Sequence, residues 1–222
     1  MYYWLYGTVR TIVLSSVPVI IQLWRQKLQL IRRMGQVVPL PKEIEAKVPL
    51  TETDLHYIDR TRKILQETFG SDIASCLWAM TSREREKAVI QLAERLAAAY
   101  GLEISVNAAI TDPQNFGSYD WNNRTISFRT DGITSSAYPE DWPYRVHTTL
   151  KTLIHELRHA IQHRAILEDD FWQVPLATRG QWALSRLHYT DDPENYLHQS
   201  IELDAMVFAE KAMEGVIPLW IG

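Results

Sequence analysis

A single cysteine, Cys76, stands in a chain of 222 residues. That scarcity excludes an intramolecular disulfide framework and a cysteine-rich metal site. It also fits a reducing compartment, so the expected location is cytoplasmic. Cys76 lies among Ile73, Ala74, Leu77 and Trp78 and reads as a small buried hydrophobe rather than a nucleophile. Positive charge is short as well: 23 Lys and Arg face 27 Asp and Glu, for a net charge of -4. The deficit is uneven, because residues 1–50 hold seven basic and two acidic side chains, +5, which leaves -9 for the remainder. A domain with that balance lacks the clustered Lys and Arg that phosphate contacts need, which argues against a nucleic-acid partner. A long uncharged apolar run is missing too. The longest, Thr11 to Trp24, has 14 residues, against the roughly 20 that cross a bilayer as a helix. Extending it back to Tyr2 takes in Arg10, and Pro18 would kink it. No Ala-x-Ala site follows, so a secretory signal is poorly supported.

Eight Trp and an ordinary apolar fraction are enough for a real core. The N-terminal segment begins with Tyr2, Tyr3, Trp4 and Tyr6. From Val19 onward Ile20, Leu23, Trp24, Leu28 and Ile31 alternate with Gln22, Arg25, Lys27, Arg32 and Arg33. This spacing predicts an amphipathic helix that packs on the domain or on a partner. An anionic membrane surface is the other contact open to residues 1–34. Gly35 and Pro39-Leu-Pro41 read as a linker. The expected organisation is an apolar and basic helical extension over residues 1–50 and one domain over 51–222.

The centre of that domain is Leu153-Ile154-His155-Glu156-Leu157-Arg158-His159-Ala160. It reads His-Glu-x-x-His inside an apolar helical pattern, and no Pro or Gly interrupts Thr148 to Ala165. Residues four apart share a helix face, so His155 and His159 can aim two imidazoles at one point. Two imidazoles and one further ligand make a catalytic zinc site with a position left for water. Glu156 can reach that water without ligating the metal, which makes it the natural general base.

Thr51-Glu-Thr-Asp54 and Thr81-Ser-Arg-Glu84 each open a helix, the second ending at Gly101. Alternation in Leu102–Ile110 predicts a strand. Gly117–Trp121 and Arg124–Phe128 predict a hairpin joined by Asn122-Asn123, since Asn tolerates the left-handed conformation of a tight turn. A strand edge beside an active-site helix can bind an extended peptide by backbone hydrogen bonds, or can be plain scaffold. Thr130 to Tyr144 reads as a loop, in which Trp142 and Tyr144 either line a cleft or anchor the chain.

Residues 171–199 read as irregular or weakly helical. A helix then starts near Gln199-Ser200, with Glu202, Ala205, Phe208 and Ala209 on one face. An inward carboxylate needs a partner, and a metal is a good one, so Glu202 is the expected third ligand. Asp204 is the runner-up or else orients a ligand from behind. His198 and the Glu168–Asp170 cluster are weaker alternatives. Tyr196 is the candidate to hydrogen-bond a tetrahedral oxyanion, ahead of Tyr189, His198 and His188. His163 extends the histidine face beyond the metal.

Leu153–Ala160 followed by Ile201-Glu-Leu-Asp-Ala-Met-Val-Phe-Ala209 resembles the small gluzincin metallopeptidases, including ImmA/IrrE-like proteins and other short zincins. The resemblance covers roughly residues 83–215. It implies an α+β zincin-like metallopeptidase domain, with helices packed on a small mainly antiparallel sheet. It also implies Zn²⁺ held by His155, His159 and Glu202, with Glu156 as base and a peptide or protein as substrate. Met206 stands where the Glu-x-x-x-Asp form carries Asp, and the long interval between the motifs implies an insertion at 166–195. The other expectation is an interaction domain, zinc-bound or metal-free, that recruits a partner through its N-terminal helix. Nothing in the sequence fixes the oligomeric state.

Overall fold

The computed structural model describes residues 48–108, 116–135, 141–190 and 199–217, together with Lys42. The amphipathic helix expected in residues 1–34 and the linker at 39–41 lie outside them. Among the described residues no helix is long and apolar enough to cross a membrane.

The architecture is α+β, with seven helices and a three-stranded sheet among the described residues. Helix α1 (Glu52–Phe69) starts at a reciprocal capping box: the Thr51 hydroxyl accepts from the Asp54 amide, and the Asp54 carboxylate accepts from the Thr51 amide. Gly70, at φ +80°, follows it in a conformation that costs a Cβ-bearing residue strain. A short helix missed in the sequence, α2 (Ile73–Trp78), follows and buries Ile73, Ala74 and Leu77. Cys76 on it is half-buried. Helix α3 (Ser82–Ala99) repeats the capping box with Thr81 and Glu84.

The sheet departs from the mainly antiparallel expectation. Strands β1 (Ser105–Asn107), β2 (Gly117–Asp120) and β3 (Thr125–Phe128) alternate in direction as a meander would. Yet β3 lies between the other two, so β1–β3 is parallel and only β2–β3 antiparallel. In the hairpin turn the left-handed residue is Arg124 (φ +50°), not an asparagine. The Asp120 carboxylate explains why: it accepts from the Asn122 and Asn123 amides and from the Asn123 side chain, and this pins the turn before Arg124.

After the short helix α4 (Asp131–Thr134) comes α5 (Trp142–Leu167), 26 residues long. It starts six residues before Thr148, inside the expected loop. Pro143 sits in its first turn, where a missing amide hydrogen costs nothing. Trp142 is buried and donates its indole N–H to the Ala74 carbonyl at 2.7 Å, so it anchors the helix rather than lining a cleft. A 3-10 turn (Phe171–Gln173) leads to α6 (Leu176–Leu187), a 12-residue helix where the sequence read as irregular or weakly helical. Helix α7 (Ser200–Met213) packs against α5 more extensively than any other pair of elements. Val146, Leu150, Leu153, Leu157 and Ile161 of α5 and Ile201, Phe208, Ala209 and Ala212 of α7 belong to the core. Each fully buried Leu or Ile there contributes about 1.5–3 kcal/mol. Strand β2 lies at the edge of the sheet and rests on α5.

Candidate metal centre

One turn of α5 separates His155 from His159, and their rings meet edge to face with centroids 4.6 Å apart. Their Nε2 atoms are 3.0 Å apart. Glu202, on the first turn of α7, reaches between them: its carboxylate oxygens lie 3.2 Å from His155 Nε2 and 3.4 Å from His159 Nε2. Two ligand atoms bound to one tetrahedral zinc at about 2.0–2.1 Å would stand about 3.3–3.4 Å from each other. The observed spacing therefore fits a single small cation. Among the described residues, these three form the group of His, Cys, Asp and Glu side chains that could hold a metal.

The carboxylate and the two imidazoles stabilise one another's charge. Burial works against the His159 imidazolium, but hydrogen bonding and charge from Glu202, the Glu156 charge and the bond to Gln162 outweigh it and push its pKa up to about 9. Burial alone would raise Glu202; its hydrogen bonds to both imidazoles and their charge hold it far below the usual carboxylate range. A carboxylate only 1% exposed that stays ionised needs positive charge beside it.

Glu156 is buried next to the triad without joining it. Burial raises its pKa. The His155 and His159 charges pull it back, Glu202 pushes it up, and a hydrogen bond from the Tyr119 backbone amide lowers it. Strand β2 passes so close that a Cβ at Gly117 would fall 2.9 Å from Glu156 Cγ. Only glycine admits that approach.

Asp204 turns away from the imidazole pair. Its carboxylate takes two hydrogen bonds from Arg158, from Nε at 2.7 Å and Nη2 at 3.1 Å, and one from Gln162 Nε2 at 2.7 Å. Arg158, 1% exposed, also donates to Asp54 of α1 at 2.6 Å. Burial raises Asp54, but the Arg158 charge and the Thr51 hydrogen bonds outweigh it and lower its pKa. The guanidinium packs over the rings of Phe208, Trp182 and Trp172.

The other candidates fall elsewhere. His163 is half-buried, with Nδ1 2.9 Å from the Tyr119 hydroxyl and its ring 4.5 Å from that of Trp121. Glu168 pairs with Arg164, Asp169 with Arg179, and Asp170 is exposed, as befits a solvated helix end. His188 is exposed where α6 ends. Tyr189 is 37% exposed, near the Arg186 guanidinium. Tyr144 is half-buried in the first turns of α5. Tyr196 and His198 lie outside the described residues. The sequence reading missed Gln162, Gly117 and the Asp54–Arg158 pair. A polar residue three positions after His159 on a buried face was the available signal for Gln162. Asp54 is 104 residues from Arg158 and gave none.

No protein-family model, curated protein or solved structure matches the chain.

Proposed function

We propose that the protein is a zinc-dependent metallopeptidase of the gluzincin type, with a zincin-like domain over residues 51–222. The observation that carries this reading is the convergence of His155 Nε2, His159 Nε2 and the buried Glu202 carboxylate, with Glu156 beside them and outside the ligand set. An edge strand lying on the His-Glu-x-x-His helix, and the glutamate helix packed against the same helix, support the zincin-like assignment. His155, His159 and Glu202 hold the ion. Zinc bound there supplies a Lewis acid for the scissile carbonyl and lowers the pKa of water. Glu156 takes the proton of the attacking water and passes it to the leaving amine. Its burial raises its pKa. The peptide lies extended along β2, the edge strand of the sheet.

The test is metal analysis of the purified chain together with cleavage of a peptide library. Wild type should carry zinc and cleave. Glu156→Gln should keep its zinc and lose about 10²- to 10⁴-fold in turnover. Full activity in that variant refutes the assignment. Zinc without cleavage by wild type would favour the interaction-domain reading, and His155→Ala with unchanged zinc stoichiometry would remove the metal centre itself.

A further inference from the structure

A neutral imidazole has one N–H and one lone pair, and a metal takes the lone pair. His159 can ligate through Nε2 only when its proton sits on Nδ1. Gln162 lies three residues further along α5, fully buried, with its Oε1 atom 2.8 Å from His159 Nδ1. Its amide cannot be turned the other way. Its Nε2 end faces the Ile201 carbonyl at 2.9 Å and an Asp204 oxygen at 2.7 Å, and both can only accept. The nitrogen therefore belongs at that end, and the oxygen faces His159. An oxygen that can only accept requires Nδ1 to carry the proton. Asp204 is fixed in turn by its double hydrogen bond from Arg158, and Arg158 by Asp54.

We propose that Gln162 is a positioning residue of the metal centre: it selects the Nδ1–H tautomer of His159 and sets the plane of its ring. The chain Asp204–Arg158–Asp54 holds Gln162 in register. This role rests on the zinc-centre reading above, yet Gln162 touches neither metal nor substrate. It recruits α1, α5 and α7 to aim one imidazole. Partners of this kind are typically worth 10- to 100-fold in metal affinity.

The experiment uses the full chain with two substitutions. Gln162→Met keeps the volume and removes the acceptor. Gln162→Glu keeps an oxygen facing Nδ1 and, protonated beside the buried Asp204 carboxylate, puts an O–H where the amide N–H donated. Zinc affinity is measured by chelator competition, the ligand field by visible absorption of the cobalt-substituted protein, and folding by circular dichroism of the metal-free form. Gln162→Met should bind zinc about 10- to 100-fold more weakly and shift the cobalt bands. Gln162→Glu should recover most of the affinity. Zinc affinity within twofold of wild type and an unshifted cobalt spectrum in Gln162→Met would overturn the proposal. Equal losses in both variants would overturn it as well, because the acceptor would not matter. If Gln162→Met fails to fold, Gln162→Glu against wild type decides alone. Wild-type protein that binds no zinc would remove the metal-centre reading, a result distinct from any of these.

Discussion

Replacing Gly117 by alanine tests how closely β2 must approach the proposed base. A Cβ there would stand 2.5 Å from Thr152 Cγ2, 2.9 Å from Glu156 Cγ and 3.0 Å from Glu156 Oε1. Carbon atoms rest at about 3.5–4.0 Å, so these atoms must move apart by roughly 1 Å. Neither backbone yields easily: β2 is laddered to β3, and α5 supplies more residues to the core than any other helix. The displacement falls on the two side chains. Overpacking of this kind costs about 1–3 kcal/mol. A shift of about 1 Å in a catalytic group can cost about 10²-fold in rate. The three atoms nearest the added Cβ belong to Thr152 and Glu156, none to His155, His159 or Glu202. Gly117→Ala should therefore melt lower and turn over about 10²-fold more slowly while keeping its zinc. Adding Thr152→Ala removes the 2.5 Å clash but leaves both contacts with Glu156. The double variant should regain more stability than turnover. The assays are thermal melting, zinc stoichiometry and peptide cleavage on the same preparations. Wild-type melting and turnover in Gly117→Ala would refute the packing argument, and loss of zinc would refute the separation of base from ligands.

Two further predictions concern stability. Arg158→Met leaves the Asp54 and Asp204 carboxylates buried without their cation and should cost about 3–5 kcal/mol in urea unfolding; a loss under about 1 kcal/mol would show that the guanidinium is dispensable. His147 is 4% exposed, and burial, helped by the Lys151 charge, pushes its pKa down to about 4. The unfolded residue, near 6.5, binds a proton that the folded one refuses. Stability is thus complete above pH 6.5 and lost as the pH falls towards 4, by up to about 3 kcal/mol. His147→Gln should flatten that acid limb, and equal losses between pH 7 and 4.5 in both proteins would contradict the assignment.

What the sequence could reveal followed from short-range physics. Thr51 with Asp54, and Thr81 with Glu84, announced two helices because a capping box spans only four residues. His155 and His159 could be paired because the helix repeat puts them one turn apart. Glu202 stood out by sharing a face with Ala205 and Phe208. Asp204 could not be separated from it, because α7 is buried nearly all round and both carboxylates point inward. The start of α5 at Trp142 was obscured by Pro143, which reads as a breaker except in a first helical turn. Helix α6 was obscured by Gly180 and by Leu176, Leu184 and Leu187, which it leaves exposed. The parallel β1–β3 pair was invisible because local alternation fixes the face of a strand and not its neighbour. The hydrogen bonds that orient Gln162 reach 39 and 42 residues along the chain, and no local pattern encodes such a distance.

The buried guanidinium of Arg158 has a consequence for how the chain matures. It joins α1 to α7 across sequence separations of 104 and 46 residues, and His155 meets Glu202 across 47. Loops of that size are closed late, after their entropy has been offset by the surrounding core. The histidine pair can form with the middle turns of α5, but the carboxylate that completes the triad arrives with α7. A chain still being made, or one that has lost α7 by local unfolding, therefore holds two imidazoles and no centre. The complete three-ligand cluster is thus a property of the finished fold alone.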